Sequence, residues 1–265
     1  MDIVLKPKSI TKFFAFIFLL LTLAHIAVKS TSFFVGDRHV VGLFDLISLF
    51  DLDKEKNIPT FCSAAALVFC SALLAIIALA KKKMEKDYFC WLGLAVIFLF
   101  LSIDEFAAIH ERFVIPLQHA LHTSGIFYFA WVIPYGLALI IFLLAYTRFI
   151  IHLAARTRFL FIIAGLIYIA GALISELVSG RYYEVHGESS VTYFIMITIE
   201  ECLEMTGIVT FIYALTSYID LQLKDIQLRI TSSSANSLFL NGSLPFMRQS
   251  LSLKSSMEPP TQASN

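Results

Sequence analysis

Six windows of mostly apolar residues, at about 12–28, 61–80, 88–110, 126–147, 159–179 and 191–218, dominate this sequence. Roughly 17 to 25 such residues are what a helix needs to cross about 30 Å of hydrocarbon. In that solvent each backbone N–H and C=O must be satisfied within its own segment, so every window is expected to be helical. The expected fold is all-α, a polytopic integral membrane bundle of six transmembrane helices. Composition agrees: the chain is 58% hydrophobic and 15% charged, with a mean hydropathy of +0.79, whereas soluble domains run nearer half apolar and a quarter charged. Twenty basic and twenty acidic residues cancel, so net charge points to neither nucleic acid nor an acidic substrate.

The placement of charge is more telling. Lys6, Lys8 and Lys12, then Lys81, Lys82, Lys83 and Lys86, then Arg148, Arg156 and Arg158, then Lys224 and Arg229 alternate with connections poor in Lys and Arg. By the positive-inside rule both termini are cytoplasmic. The first window also has signal-peptide character, but no small-x-small site follows it cleanly, so it is expected to be retained as a helix. Residues 1–218 form the expected membrane domain. Its outer segment, 29–60, carries Gly42, Asp45, Ser48 and Asp51 at every third position, which suits an interfacial helix or a loop packed over the bundle. Pro59 marks the start of the second helix. Residues 219–265 are rich in Ser, Asn, Gln and Pro, with too little apolar surface to offset chain entropy, and are expected to be a largely disordered cytoplasmic tail. Cys62, Cys70, Cys90 and Cys202 lack CxxC spacing and read as packing residues, with a ligand role as the alternative for Cys202 among its acids.

Against this apolar background two acidic runs stand out, SIDEFAAIHERF at 102–113 and TIEECLEM at 198–205. An ionised side chain at the bilayer centre costs at least about 2.5 to 3.5 kcal/mol, so such residues face protein or water and need compensation. Both runs share the order hydroxyl, Ile, acid, Glu, each in the third helix of a triplet, which allows a 3+3 inverted repeat. At 1.5 Å per residue Asp104 and Glu200 both lie roughly 13 Å below the outer surface. Glu200 and Glu204 are about 40° apart on their helix and Glu201 about 60° further round. Gly207 continues the Glu200 stripe and allows a neighbouring helix to approach. By the same reckoning Asp104 and Glu111 share one face of the third helix, with Arg112 placed to pair with Glu105 or Glu111.

Carboxylates with one or two histidines are the ligand set of iron or manganese. The expected divalent metal ligands are therefore Asp104, Glu200 and Glu204, with Glu105, His110, Glu111, Glu176 and Glu201 as further ligands or supports. The dinuclear Glu-x-x-His pattern is absent from the spans, and HERFV lacks the second histidine of a zinc-protease motif. His119 and His122 read as solvated loop residues. Trp91, Tyr88, Trp131 and Tyr135 read as an aromatic belt, and Pro134 with Gly136 as a kink in the fourth helix.

The stretches LSIDEFAAIHE, LFDLDKEKNIPTF and IEECLEMTG together resemble a group of uncharacterised polytopic bacterial inner-membrane proteins, over most of residues 35–218. The resemblance implies a bacterial inner (plasma) membrane and carries no activity. Two functions follow from the residues themselves. One is a metal site in the outer leaflet, serving a membrane enzyme that acts on a lipid-like substrate; the other is a cation- or proton-coupled transporter using the same acids.

Overall fold

The computed structural model describes residues 6–35, 48–83 and 87–222, with the side chains of 32–35 and 83 left aside. The chain divides into Met1–Ile226 and Gln227–Asn265, and the second unit, like most of the expected tail, lies outside the described residues. Gly42 and Asp45 of the expected interfacial helix also lie outside them. Among the described residues every regular element is helical: α1 (Pro7–Val35), α2 (Ile58–Lys83), α3 (Tyr88–Ala107), α4 (Val114–Leu121), α5 (Val132–His152), α6 (Ala155–Ile169), α7 (Glu176–His186) and α8 (Val191–Gln222).

Among the described residues five stretches are long and apolar enough to cross a membrane: Pro7–Thr31, Ile58–Lys82, Tyr88–Ala107, Val132–His152 and Ala155–His186. The last combines α6, a π-helical segment Ala170–Ser175 and α7 into one rod. The sixth expected span, α8, is 32 residues long and is not among the five. The chain is thus an all-helical protein compatible with a membrane.

Cross-helix contacts fix an up-and-down order. Ser71 and Ser102 donate across the α2–α3 seam to the carbonyls of Ala95 and Ala64, at 2.7 and 2.8 Å. Small residues on α2 let the two backbones approach this closely. At one end of the bundle Trp91 of α3 packs between Phe149 of α5, Phe161 of α6 and Tyr218 of α8. Trp91 is thus a core residue and not part of an interfacial belt. At the other end the segment before α2 crosses the bundle as a strap. Lys29 pairs with Asp51 at 2.8 Å, the Leu52 N–H donates to His25 Nδ1 at 3.0 Å, and the Tyr193 hydroxyl donates to Asp53 at 3.1 Å. Asn57 caps α2 by accepting the Thr60 N–H at 3.1 Å, with Pro59 inside the first turn as expected.

α8 is the central helix, and from Phe211 to Tyr218 it is buried on most sides. Gly207 faces α6 as expected: a Cβ there would lie 2.8 Å from the Tyr168 backbone. α5 is the opposite case, with Val132 its one buried residue. The expected kink in α5 is absent, because Pro134 falls in the first turn, where its missing N–H has no helical partner to lose.

Candidate functional site

The site begins where α3 ends, three residues earlier than its apolar window. Ala108 adopts a left-handed conformation, φ 50°, and its N–H closes on the Asp104 carbonyl. The chain then turns back over the helix end. The His110 N–H donates to Asp104 Oδ1 at 2.9 Å, and its Nδ1 lies 3.3 Å from Oδ2. The Tyr135 hydroxyl of α5 donates to the same Oδ1 at 2.9 Å. Because the helix stops, Glu111 does not share a helical face with Asp104, and exposed Arg112 forms no ion pair among the described residues with either expected partner.

A second group grows from the π segment, whose wider turn shifts the register of everything after it. Glu176 accepts from Trp131 Nε1 at 3.1 Å, and Ser179 donates to Glu200 at 3.1 Å. The carboxyl groups of Glu176 and Glu200 are neighbours, close enough to interact. Gly171 makes this crossing possible, since a Cβ there would lie 2.8 Å from the Glu200 carbonyl and from Glu204 Cγ. The Trp131 ring lies 4.7 Å from His110 and 5.1 Å from Tyr135, which joins the two groups.

These residues line one cavity of about 780 Å³ between α3, α5, the α6–α7 rod and α8. Asp104, Glu105, His110, Glu111, Glu176, Glu200, Glu201 and Glu204 all reach it. Asp53, Glu55 and Glu188 reach it as well, so ten carboxyl groups line its walls, and among the described residues no Lys or Arg does. The cavity shares one chamber but not one coordination sphere. Among the described residues no three His, Cys, Asp or Glu side chains come close enough to hold a metal ion. The reason is visible in the hydrogen bonds, which tie Asp104, Glu176 and Glu200 to separate donors around the wall. Cys202 lies beside Thr22 of α1, 3.6 Å from its hydroxyl.

Outside the apolar helices three cavity groups are perturbed. Burial, with the charge of Asp51, raises Asp53 to about 6 against the opposing pull of Lys29. Burial and then the Glu105 charge push Glu55 up to about 8, and its Oε2 is buried with no hydrogen-bond partner among the described residues. His110 goes up to about 9: burial lowers it, but the Asp104 hydrogen bond and the charges of Asp104, Glu55 and Glu105 together prevail. The cavity therefore holds one imidazolium among its acids at neutral pH.

A family described as a domain of unknown function (DUF8692) matches residues 13–218. The chain belongs to that family. The matched region of this DUF8692 member runs from the first turns of α1 into the last part of α8, and so contains the whole cavity wall. No curated protein and no solved structure matches the chain.

Several wall residues escaped the sequence reading. Trp131 and Tyr135 were expected in an aromatic belt, yet both turn their polar atoms onto site carboxylates. Their i, i+4 spacing was a usable signal, since a buried Trp N–H or Tyr O–H needs an acceptor. Asp53 and Glu55 were hidden in the outer segment. Their position just before a helix start places them at the same end as Asp104, and that could have been argued.

Proposed function

We propose that the protein is a multi-pass membrane carrier for cations, with α8 as its sixth span and the acidic cavity as the carrier site. The supporting observation is the cavity wall itself, which ten carboxyl groups line and, among the described residues, no Lys or Arg does. At an effective dielectric constant of 20, two unit charges about 5 Å apart repel by about 3 kcal/mol, so these acids hold protons, or a cation, or both. The closeness of Glu176 to Glu200 supports such a state, because two neighbouring carboxylates repel unless a proton or a cation lies with them. A cation that displaces that proton gives cation-for-proton exchange. The 3+3 inverted repeat belongs to this reading, with Asp104 and Glu200 as matching positions that rock around a shared site. The motif resemblance and the basic end of the bundle support a bacterial inner membrane with the start of α1 and the end of α8 in the cytoplasm.

The test is reconstitution into proteoliposomes holding a pH-sensitive dye. An imposed gradient of inorganic or organic cation is expected to drive protons the other way, and Glu200→Gln to cut that flux at least about tenfold, a loss of about 1.4 kcal/mol in transition-state terms. Wild-type vesicles that exchange no protons for any cation overturn the carrier reading.

The second reading keeps a bound divalent metal, iron or manganese, in a membrane enzyme for a lipid-like substrate. Two observations favour it, the closeness of Glu176 to Glu200 and the carboxylate-plus-imidazole character of the wall. Glu204, one turn along α8, would have to swing toward that pair to complete a ligand set. Stoichiometric metal in purified wild type, lost from Asp104→Asn and Glu200→Gln variants, selects this reading over the first.

A further inference from the structure

We propose that the ligand of the cavity is a long-chain ammonium amphiphile, its charged head among the acids and its alkyl chain along the apolar end. This rests on the cation-binding reading above and names the class of cation. The cavity has two chemistries along its length. The acids occupy the end near the strap, and Leu94, Ile97, Phe98, Phe142, Phe161 and Phe211 line the other. Leu94 precedes Asp104 by ten residues on the same helix, so the apolar part extends about 15 Å from the acids. A small hydrated cation leaves that volume unused. About 780 Å³ is the size of a pocket that encloses a whole amphipathic molecule.

The openings of the cavity suit the same ligand. Phe100 of α3, Leu143 of α5 and Ile162 and Leu166 of α6 both line the cavity and are 44% to 60% exposed. The chamber therefore opens beside α5 onto an apolar surface. α5 meets α3 through Tyr135 on Asp104 at one end and Tyr146 on the Cys90 carbonyl at the other, 3.3 Å, with the lining residues Leu139, Phe142 and Leu143 between. At the acid end the strap crosses the mouth, tied by the Lys29–Asp51 and Tyr193–Asp53 contacts. A molecule dissolved in the surrounding apolar phase meets an open side, and its head meets carboxylates. Charge complementarity selects among head groups: a phosphoryl or carboxylate group would meet ten acids and, among the described lining residues, no Lys or Arg, so an ammonium without a phosphate is the fitting head.

The test uses the full-length protein in a neutral maltoside detergent and follows Trp131 fluorescence. The chain has two tryptophans; Trp91 is in the core and Trp131 on the cavity wall. The probes are dodecyltrimethylammonium, tetramethylammonium, dodecylphosphocholine and dodecanol. Gly165 lines the apolar end, and a Cβ there would meet nothing within 4 Å, so Gly165→Phe starts its side chain from an open position and directs it into the chain's volume. The expected result is that Gly165→Phe weakens dodecyltrimethylammonium at least about fivefold and tetramethylammonium less than about twofold, with Gly165→Leu in between. Partitioning into detergent is the same for wild type and variant and cancels from this ratio. Dodecylphosphocholine and dodecanol are expected to bind wild type at least about tenfold more weakly than dodecyltrimethylammonium. Equal effects of Gly165→Phe on the short and long ammonium ions, or phosphocholine binding as tightly as ammonium, overturns the amphiphile while leaving cation binding in place. Binding by neither ammonium ion removes the cation-binding reading along with it.

Discussion

His110 is held against Asp104 by two contacts, one from its backbone and one from its ring, and this makes its protonation part of the fold. Its pKa rises from 6.5 to about 9 because the Asp104 hydrogen bond and nearby carboxylates outweigh burial, which acts in the opposite direction. A raised pKa means the folded state binds the proton more tightly than the unfolded state. The resulting stabilisation is complete below pH 6.5 and is lost as pH climbs through about 9. Glu55 adds to the same trend: burial, then the Glu105 charge, raises it from 4.5 to about 8, so its protonated form also favours folding until pH passes about 8. The melting temperature of the purified protein is therefore expected to fall as pH rises from 6.5 to 9, by an amount worth at most a few kcal/mol. Asp104→Asn removes the main support of the imidazolium and is expected to flatten the fall between pH 7 and 9. Glu55→Gln is expected to raise the melting temperature by an amount that grows from pH 4.5 upward and reaches its full size near pH 8. A pH slope unchanged by Asp104→Asn would show that the His110–Asp104 contact is not the source.

At the scale of helices, two glycines on neighbouring turns of one rod make opposite predictions. Gly171 lies in the π segment, where a Cβ would come within 2.8 Å of the Glu200 carbonyl and 2.9 Å of the Glu204 N–H nitrogen. Both belong to the backbone of α8 and cannot rotate away. Gly171→Ala is expected to cost about 1–3 kcal/mol and to weaken cation binding, because it pushes the acidic face of α8 off the rod. Gly165 has open space around it, so Gly165→Ala is expected to be neutral or to stabilise by up to about 1 kcal/mol through helix propensity. Thermal melts of the two variants decide this directly. The cap of α2 offers a third test: Asn57 accepts from the Thr60 N–H and donates to the Asp51 carbonyl at 2.6 Å. Asn57→Ala is expected to cost about 1–2 kcal/mol and to loosen the strap, read as faster proteolysis of 48–57.

The elements themselves were largely legible, because apolar run length and the Pro59 signal report local physics. The acidic sector of α8 and the close approach at Gly207 followed from helical geometry alone. The end of α3 did not. Ala107, Ala108, Ile109, His110 and Glu111 all suit a helix, and what stops it is the left-handed turn at Ala108 with the His110 N–H captured by the Asp104 carboxylate, which a tertiary contact, the Tyr135 hydroxyl of α5, holds in place. The strap was illegible for the same reason. Asp51 and Asp53 are held by Lys29 and Tyr193, residues 22 and 140 positions away in the chain, and no local pattern announces such pairings. The π segment AGALIS carries no sequence mark at all; its register shift is defined by packing against α8.

For the whole molecule, the distribution of charge sets a direction. Lys8, Lys12, Lys81, Lys82, Arg148, Arg156 and Arg158 belong to helix ends that meet near the start of α1 and the end of α8, where Arg156 reaches the Tyr213 hydroxyl at 3.2 Å and Lys81 lies over the Tyr218 ring. The strap and the acidic mouth of the cavity are at the opposite end. If basic ends remain on the cytoplasmic side, the acids open toward the outer leaflet, and a cation bound there sits on the side from which a proton gradient is directed inward. Single cysteines in a background with Cys62, Cys70, Cys90 and Cys202 replaced by Ala test this arrangement. Ser124→Cys, in the turn that follows α4, is expected to react with a membrane-impermeant maleimide in intact cells, and Lys82→Cys to react after the membrane is opened. The reverse pattern would turn the cavity toward the cytoplasm. The gradients set the direction of net exchange in either arrangement: an inward proton gradient drives the cation out as protons enter, and Glu200→Gln is expected to abolish that efflux.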